Sequence, residues 1–191
     1  MTLISLTIFV LVSLLLLLVF EYTGPKWLRY FFKPLTLLLI IAIVWLAPHP
    51  ISAHYRQFVI IGLGLSLIGD TFLLFPNRWF LQGLFSFLCA HICYIIAFTG
   101  DLGSDFSLLP IVILVLVAIL LTGTAWRHLG SVRFPVIVYT IIILVMVGSA
   151  AERYIHVGSP GSLWGLEGAV LFLISDGVLA INRFMRSFRA A

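Results

Sequence analysis

Charged residues are scarce in this chain of 191 residues. Only 9% of the residues are Asp, Glu, Lys or Arg, whereas 62% are hydrophobic. A soluble domain carries about a quarter charged residues, so this chain has too few to build a polar surface around its apolar majority. That excludes a soluble globular protein, a disordered chain and a coiled coil, and it argues against a nucleic-acid partner. The composition predicts an all-α, polytopic helical membrane protein, with residues 1–191 forming one integral membrane domain.

Cysteine is equally scarce, and the common catalytic motifs are missing. The two cysteines, Cys89 and Cys93, lie four residues apart in one apolar stretch, a spacing that favours packing over a disulfide or a metal site. No GxxxxGK[ST], HExxH or GxSxG motif occurs in the sequence, which argues against a phosphate-binding loop, a zinc protease and a serine-hydrolase elbow. The pair Gly62 and Gly64 predicts a helix-packing face rather than a phosphate loop.

Seven apolar stretches approach the roughly 17–25 residues that a membrane-spanning helix needs. They are Thr2–Phe20, Pro34–Ala47, Gln57–Phe75, Phe80–Phe98, Ser107–Ala125, Phe134–Ala151 and Leu163–Ile181. The second stretch is short, and its helix begins at Pro34 or earlier, near Leu28. Pro34 and Pro135 are expected near helix starts, where the missing N–H of proline costs least.

Basic residues are distributed unequally between the two sides of these spans. Nine of the 11 Lys and Arg residues follow spans one, three, five and seven, whereas only Arg56 and Arg153 fall on the other side. Because Lys and Arg accumulate on the cytoplasmic side, the N-terminus is expected outside and the C-terminus in the cytoplasm of a bacterial inner membrane. The first span is not expected to be a signal peptide, since Glu21 and Tyr22 follow it instead of a small-residue cleavage site.

Spans three and seven carry a similar motif, L-I-small-D-x-x-L followed by N-R-aromatic. Its copies are Leu67 to Leu73 with Asn77 to Trp79, and Leu173 to Leu179 with Asn182 to Phe184. An offset of four helices gives both copies the same direction, which indicates a parallel duplication over residues 1–100 and 101–191. A duplicated four-helix unit predicts eight helices. Either the eighth has been lost, or the sequence stops short of it, or a partner supplies it.

Two carboxylates lie inside these apolar spans. Asp70 and Asp176 each precede the predicted cytoplasmic end of their span by about five residues, and an aspartate at mid-helix costs about 2.5–3.5 kcal/mol in a bilayer. At equal depth on duplicated helices they are expected to share one pocket, in which one keeps its proton and serves as general acid beside a general base. The alternative is that each aspartate caps a broken helix or bonds a neighbouring serine.

Five other polar residues are candidate substrate-binding positions in the same half of the membrane. They are Lys33, His91, Tyr94, Tyr139 and Asn182. His91 and Tyr94 lie three residues apart and therefore share a helix face. Each residue alone is more typical of helix packing, but together they predict the lining of one cytoplasm-facing cavity.

Small and charged residues elsewhere favour structural roles. Gly62 and Ser66 are expected to let another helix approach the face that carries Asp70. Near the outer boundary, a second group of charged and titratable residues is expected to be solvated or to snorkel to the interface. Its members are Glu152, Arg153, His156 and Glu167.

Several segments, taken in order along the chain, resemble the YhhN-like family of membrane proteins, whose characterised members are lysoplasmalogenases. They are Phe32 to Thr36, Ser66 to Asp70, Gly83-x-x-x-Phe87-x-x-x-His91-x-x-Tyr94, and Leu171-Phe172-x-x-Ser175-Asp176 with Asn182-x-Phe184. Members of that family typically have eight spans, and this chain, for which we expect seven, departs from them at the last helix. The resemblance implies hydrolysis of the vinyl ether bond of a lysophospholipid within the bilayer. It carries the two intramembrane aspartates of the family over to Asp70 and Asp176.

The implied reaction fits these residues without a metal or other cofactor. Protonation of the terminal vinyl carbon gives an oxocarbenium ion, to which water adds, as in two-carboxylate glycoside hydrolysis. Lys33 is then expected to hold the substrate phosphate, so that its removal would raise KM with little change in kcat.

Two other classes of function remain open from the sequence. A proton-coupled or lipid transporter also uses repeats and intramembrane acids, although inverted repeats are common there and this repeat is parallel. A structural or assembly subunit would tolerate Asn at both aspartate positions. Release of a fatty aldehyde from a lysoplasmalogen distinguishes the hydrolase from both.

Overall fold

The computed structural model describes residues 3–23, 26–48, 52–100, 102, 112–116 and 132–184, and all regular structure in them is helical. Six long helices are present in these ranges: α1 Leu3–Thr23, α2 Lys26–Leu46, α3 Ala53–Leu73, α4 Pro76–Thr99, α5 Arg133–Val157 and α6 Pro160–Phe184. Residues 112–116 are also helical. They belong to the fifth predicted span, Ser107–Ala125, most of which lies outside the described residues.

The helices have the length and surface of membrane spans, which confirms the predicted class. Among the described residues, five helices are long and apolar enough to cross a bilayer, and the apolar part of α2, Tyr30–Leu46, is somewhat shorter. Large hydrophobic side chains such as Leu15, Trp45 and Trp164 are mostly exposed on the protein surface. Helices with so many exposed apolar side chains are stable in contact with lipid and not with water.

The second helix begins close to the earlier of its two predicted starts, near Leu28, and not at Pro34. It starts at Lys26, and Pro34 lies inside it rather than near its start. The prediction from proline was wrong because one proline removes only one intrahelical hydrogen bond, and membrane helices tolerate that loss where neighbours re-satisfy the freed carbonyl. The longer α2 places Lys33 in the interior of a helix.

The chain forms two units, residues 1–93 and 94–191, and α4 contributes to both. In the first unit, α1 packs along α2 and α2 packs along α3. The hydroxyls of Ser13 and Thr36 are 2.6 Å apart and buried between α1 and α2. A polar pair of this kind joins membrane helices without placing a charge in the bilayer.

Glycines bring α3 and the first part of α4 into close contact. A Cβ at Gly69 would lie 2.7 Å from the ring of Phe87, and one at Gly83 would lie 3.0 Å from the side chain of Leu73. Gly62 and Ser66 are buried on α3, as expected. The packing role predicted for Gly64 was wrong, because nothing lies within 4 Å of the position that its Cβ would take.

In the second unit, α5 packs along α6. The ring of Tyr94, near the end of α4, lies 6.4 Å from the ring of Phe172 on α6. Helix α5 ends at Val157 and is capped by Gly158, whose φ of 58° is left-handed. Glycine adopts this conformation at helix C-termini without strain.

Hydroxyl side chains on several helices bond to their own backbone. Each donates to the carbonyl four residues earlier at 2.8 Å: Thr71 to Leu67, Thr99 to Ile95, Thr140 to Val136 and Ser149 to Val145. The hydroxyls are thereby satisfied without a partner helix.

Candidate functional site

The first candidate aspartate forms an ion pair between neighbouring helices. The ammonium of Lys33 on α2 lies 2.9 Å from Oδ1 of Asp70 on α3, and the two side chains are 37% and 22% exposed. A charge-assisted contact this short is stronger than a hydrogen bond between neutral groups. The structure thus brings two predicted site residues together and leaves the pair within reach of a ligand from outside the protein.

The backbone under Asp70 is held by the close approach of α3 and α4. Gly69, the residue before Asp70, lies directly against the ring of Phe87, which is buried. The carbonyl of Gly69 in turn lies 3.3 Å from the position that a Cβ on Gly83 would occupy. Sequence reasoning did not assign this role to Gly69, although the small residue before each aspartate in the repeat was a signal for it.

The second candidate aspartate is bonded to a tyrosine. The hydroxyl of Tyr139 on α5 donates a hydrogen bond to Oδ2 of Asp176 on α6. Tyr139 is buried, with 8% of its surface exposed, whereas Asp176 is of intermediate exposure. The phenol therefore holds one carboxyl oxygen without bringing a formal charge to it.

The two contacts occur at the same chain spacing in the two units. Lys33 precedes Asp70 by 37 residues, and Tyr139 precedes Asp176 by the same number. In each unit, the aspartate lies on the second helix of a consecutive pair and its partner lies on the first. The helix ends differ, since α3 continues for three residues beyond Asp70 and α6 for eight beyond Asp176.

The remaining predicted site residues are placed as follows. His91 on α4 is fully buried in the first unit, and Tyr94, buried in the second, packs against Phe172. Asn182 lies in the last turns of α6, which continues to Phe184, and its side chain lies outside the described part of the structure.

The charges at the C-terminal end of α5 are buried, so the expectation that Glu152 and Arg153 are solvated was wrong. Glu152 is 2% exposed and Arg153 is 1% exposed. Nη1 of Arg153 donates to the carbonyl of Phe98 at 3.3 Å, and Oε2 of Glu152 lies 3.1 Å from Nε2 of His156. Glu167 is exposed on α6, as expected.

A physical cause for this burial is visible at the end of α4. Phe98 lies in the last turn of α4, where carbonyls have no intrahelical partner and carry the negative end of the helix dipole. A cation bonded there is stabilised even when it is removed from solvent. Arg153 therefore acts as a cap for α4 instead of extending to the interface.

Metal-ligating residues do not converge in the described part of the chain. There, no three His, Cys, Asp or Glu side chains form a group that could hold a metal ion. Both cysteines, Cys89 and Cys93, are free thiols of intermediate exposure.

Comparison with known proteins gives a consistent set of relatives. The YhhN family matches residues 28–191. The uncharacterized membrane protein YhhN of Escherichia coli O6:H1 is 37% identical over 171 residues, which cover 89% of this chain and 81% of that protein. The lysoplasmalogenase of Mycobacterium tuberculosis is 31% identical over 173 residues, 86% of this chain and 63% of the relative.

Similar sequences extend to eukaryotes. Human lysoplasmalogenase TMEM86B is 32% identical over 164 residues, which cover 83% of this chain and 65% of the human protein. The chain therefore spans a little less than two thirds of the mycobacterial and human relatives. No solved structure matches the chain.

Proposed function

The chain belongs to the YhhN family, and from that premise we propose that it hydrolyses the vinyl ether bond of lysoplasmalogens. The products would be a fatty aldehyde and glycerophosphoethanolamine or glycerophosphocholine. Relatives in Mycobacterium tuberculosis and in humans that bear the name lysoplasmalogenase support this activity. The substrate is a lysophospholipid, and the protein acts as an integral membrane protein in contact with the bilayer.

The observation that carries the proposal is the pairing of each intramembrane aspartate with a polar side chain. Asp70 contacts Lys33 and Asp176 contacts Tyr139. Carboxyl groups in apolar helices are costly to bury and usually mark a functional site. Because neither aspartate is fully covered by protein, each can approach a substrate headgroup or linkage.

The chemistry of a vinyl ether suits two carboxyl groups. A proton delivered to the terminal vinyl carbon produces an oxocarbenium ion, which a nearby carboxylate stabilises. Water then adds to the cation, and the hemiacetal collapses to the aldehyde and the glycerol hydroxyl. General acid and base contributions of this kind are worth about 10²–10⁴-fold each, so both aspartates are proposed as catalytic residues.

The proposal is tested with purified protein in detergent or nanodiscs and a lysoplasmalogen as substrate. Aldehyde release is followed by coupled reduction, and we expect turnover that depends on protein concentration. The matched control is the lysophospholipid with a saturated ether in place of the vinyl ether, which has no double bond to protonate and should release nothing. Equal release from both lipids would contradict the proposed reaction.

A transporter remains the competing function. Its signature would be movement of protons or labelled lysolipid across vesicles that contain the protein, with no aldehyde formed. That result, obtained with protein that unfolds cooperatively on heating, would replace the hydrolase proposal.

We also propose that the protein resides in the inner membrane with its N-terminus outside and its C-terminus in the cytoplasm. The unequal distribution of basic residues supports this orientation,. A reporter that is active only in the cytoplasm should work when fused after Ala191. Activity of a periplasmic reporter at the same position would reverse the topology.

A further inference from the structure

Two contacts join the first part of α2 to the end of α3, and we propose that together they form a subsite for the headgroup of the lysophospholipid substrate. One contact is the ion pair of Lys33 and Asp70, and the other is a pair of aromatic rings, Tyr30 and Phe75. Lys33 binds the phosphate of the headgroup, and the two rings bind the ammonium group beyond it. The inference rests on the proposed function for its substrate class and adds which headgroups the protein selects.

The aromatic pair lies near the start of α2 and just after the end of α3. The ring centroids of Tyr30 and Phe75 are 5.6 Å apart and the ring planes are tilted by 40°, and both side chains are exposed. A cation is attracted to an aromatic ring when it lies within about 6 Å of the centroid, so one ammonium group can interact with both rings. Proteins recognise choline and other quaternary ammonium ligands through aromatic side chains in this way.

The backbone that carries the Phe75 ring is held on both sides. The N–H of Phe75 donates to the carbonyl of Phe72 at 3.0 Å. The carbonyl of Phe75 accepts from the N–H groups of Arg78 and Trp79, at 3.1 and 3.0 Å. These bonds fix the turn from α3 into α4. A ligand that contacts the ring therefore does not need to order the segment that carries it, and this favours binding.

The ion pair lies about one helical turn deeper between the same two helices. Lys33 follows Tyr30 by three positions, so the two share a face of α2 and are separated by about 4.5 Å along its axis. Asp70 precedes Phe75 by five positions. Because the later residue on α2 meets the earlier residue near α3, the two segments run antiparallel here. A single ligand that lies along both segments meets the rings first and the ion pair next.

Lys33 has donors left for a phosphate group. A lysine ammonium carries three N–H donors, and the contact with Oδ1 of Asp70 uses one of them. The Lys33 side chain is 37% exposed, so a phosphate oxygen can approach the ammonium from outside the protein. Hydrogen bonds from a lysine ammonium to phosphate are charge-assisted and strong.

The order of these groups along the helices matches the order of groups in the lipid. In a lysophospholipid with a choline or ethanolamine headgroup, the phosphate lies between the ammonium group and the glycerol that carries the ether. Beyond Lys33, α2 is largely apolar up to its end at Leu46, which suits a hydrocarbon chain. A lipid with its phosphate at Lys33 and its chain in the bilayer therefore directs its ammonium group to Tyr30 and Phe75. Its ether linkage then lies on the side of Asp70.

The test measures binding of lipids that the protein does not hydrolyse under the proposed mechanism. The probes are two lysophospholipids with the same saturated ether chain, one with a phosphocholine headgroup and one with a bare phosphate. Each is titrated by calorimetry into the intact protein in one detergent, so that partition of the lipid into micelles cancels between variants. Tyr30→Leu and Phe75→Leu should each weaken binding of the phosphocholine lipid roughly two- to fivefold, as expected for a cation–π contact at an exposed site. Binding of the bare phosphate lipid should not change.

Control variants separate the aromatic rings from other causes. Tyr30→Phe keeps the ring and removes only the hydroxyl, so it should bind the phosphocholine lipid like the wild type. Phe31→Leu removes an exposed ring at the next position of α2, on a different face, and should change the binding of neither lipid. If Phe31→Leu weakened binding as much as Tyr30→Leu, the rings would serve only as anchors at the membrane interface, and the subsite would be refuted. Equal weakening of both lipids in Tyr30→Leu would also refute it.

Lys33→Met tests the phosphate half of the subsite. It should weaken binding of both lipids, because both carry a phosphate. Unchanged binding of the bare phosphate lipid to Lys33→Met would overturn the role of Lys33.

These measurements also distinguish failure of the subsite from failure of the proposed function. If the wild-type protein releases no aldehyde but the ring variants lose affinity for the phosphocholine lipid alone, hydrolysis is refuted and the subsite stands. If aldehyde is released and the ring variants bind both lipids like the wild type, hydrolysis stands and the subsite is overturned.

Discussion

The two ends of α5 hold polar side chains under contrasting conditions. Near its N-terminal end, Tyr139 reaches Asp176, a carboxyl that is partly exposed. Near its C-terminal end, Glu152 and Arg153 are almost completely covered by protein. Glu152 follows Tyr139 by 13 positions, which corresponds to about 20 Å along the helix,. Helix α5 therefore carries two polar sites. We call the site of Tyr139 and Asp176 the open end, because a ligand can reach it, and the site of Glu152 and Arg153 the closed end, because protein covers it.

This contrast separates the intramembrane carboxyls that we propose to be functional from charges with a structural role. At the closed end, Arg153 caps the last turn of α4 and Glu152 contacts His156, so these charges are used within the fold. At the open end, and equally at Lys33 and Asp70, a carboxyl keeps part of its surface uncovered. We therefore expect chemistry at a carboxyl group that stays partly exposed after it has paired with a neighbouring side chain, and not at every charged group.

The largest expected effect comes from neutralising the open carboxyls. Asp70→Asn and Asp176→Asn should each lower aldehyde release about 10²–10⁴-fold, because an amide neither donates a proton to carbon nor stabilises a cation. The temperature of thermal unfolding in detergent should stay the same or rise for Asp176→Asn, since an amide is cheaper to bury than a charge. It should fall for Asp70→Asn, because the ammonium of Lys33 loses its ion-pair partner,. Turnover near the wild-type value in either variant would show that the substituted carboxyl group is not needed for aldehyde release.

At the closed end, replacing a carboxylate by an amide should lower the stability of the protein and leave its turnover unchanged. Glu152→Gln leaves the contact with His156 weakened in a buried place, so we expect it to lower the free energy of unfolding by about 1–3 kcal/mol. The matched control is Glu167→Gln on exposed α6 surface, expected within about 0.5 kcal/mol of wild type. Both variants should keep the turnover of the folded fraction. A Glu152→Gln protein that is stable but inactive would mean that Glu152 takes part in the reaction, as we propose for Asp70 and Asp176.

A glycine substitution tests whether packing under Asp70 matters to the open site. Gly69→Ala places a Cβ against the Phe87 ring, and such overpacking costs typically 1–3 kcal/mol. Because the displaced residue is next to Asp70, kcat should fall as well. Gly64→Ala, which meets open space, should leave stability and turnover unchanged. If Gly69→Ala and Gly64→Ala had the same stability and turnover, the close packing of α3 against α4 would not be what holds Asp70 in position.

The smallest effect on stability is expected from breaking a polar contact between two uncharged side chains, and it serves as a baseline for the charged contacts. Ser13→Ala removes the hydroxyl that pairs with Thr36 between α1 and α2. Interhelical hydrogen bonds in membranes contribute about 0.6 kcal/mol on average, so the unfolding temperature should fall slightly and turnover should not change. If Ser13→Ala lowered stability as much as Glu152→Gln does, the loss of stability at the closed end would follow from burying any polar pair and not from charge.

The sequence predicted the helical membrane class and singled out the residues of the open site individually, but it predicted neither which of them pair nor how the helices pack. Hydropathy locates α1, α3, α4, α5 and α6 because a bilayer imposes length and apolarity on every span. Lys33, Asp70, Tyr139 and Asp176 stood out because polar groups are rare in such helices. That Asp70 and Asp176 share one pocket, and that the halves arose by duplication, stay predictions.

The misplaced features depend on which neighbour covers a residue, and composition does not contain that information. Pro34 was interpreted as a helix start although α2 continues through it. Arg153 was expected at the interface because the carbonyl that receives it, on Phe98, lies 55 residues earlier in the chain. Gly64 and Gly69 look alike in sequence, and only the position of Phe87 distinguishes them.

The 37-residue spacing also bears on how the protein enters the membrane during its synthesis. A lone aspartate in a nascent helix opposes insertion by about 2.5–3.5 kcal/mol. Because Lys33 and Tyr139 lie on the helix made just before their aspartates, each carboxyl leaves the ribosome when its donor is already available. Two adjacent helices can then partition into lipid as a hairpin with the polar contact formed. In contrast, a threonine hydroxyl that bonds to a carbonyl of its own helix is satisfied before any second helix is made.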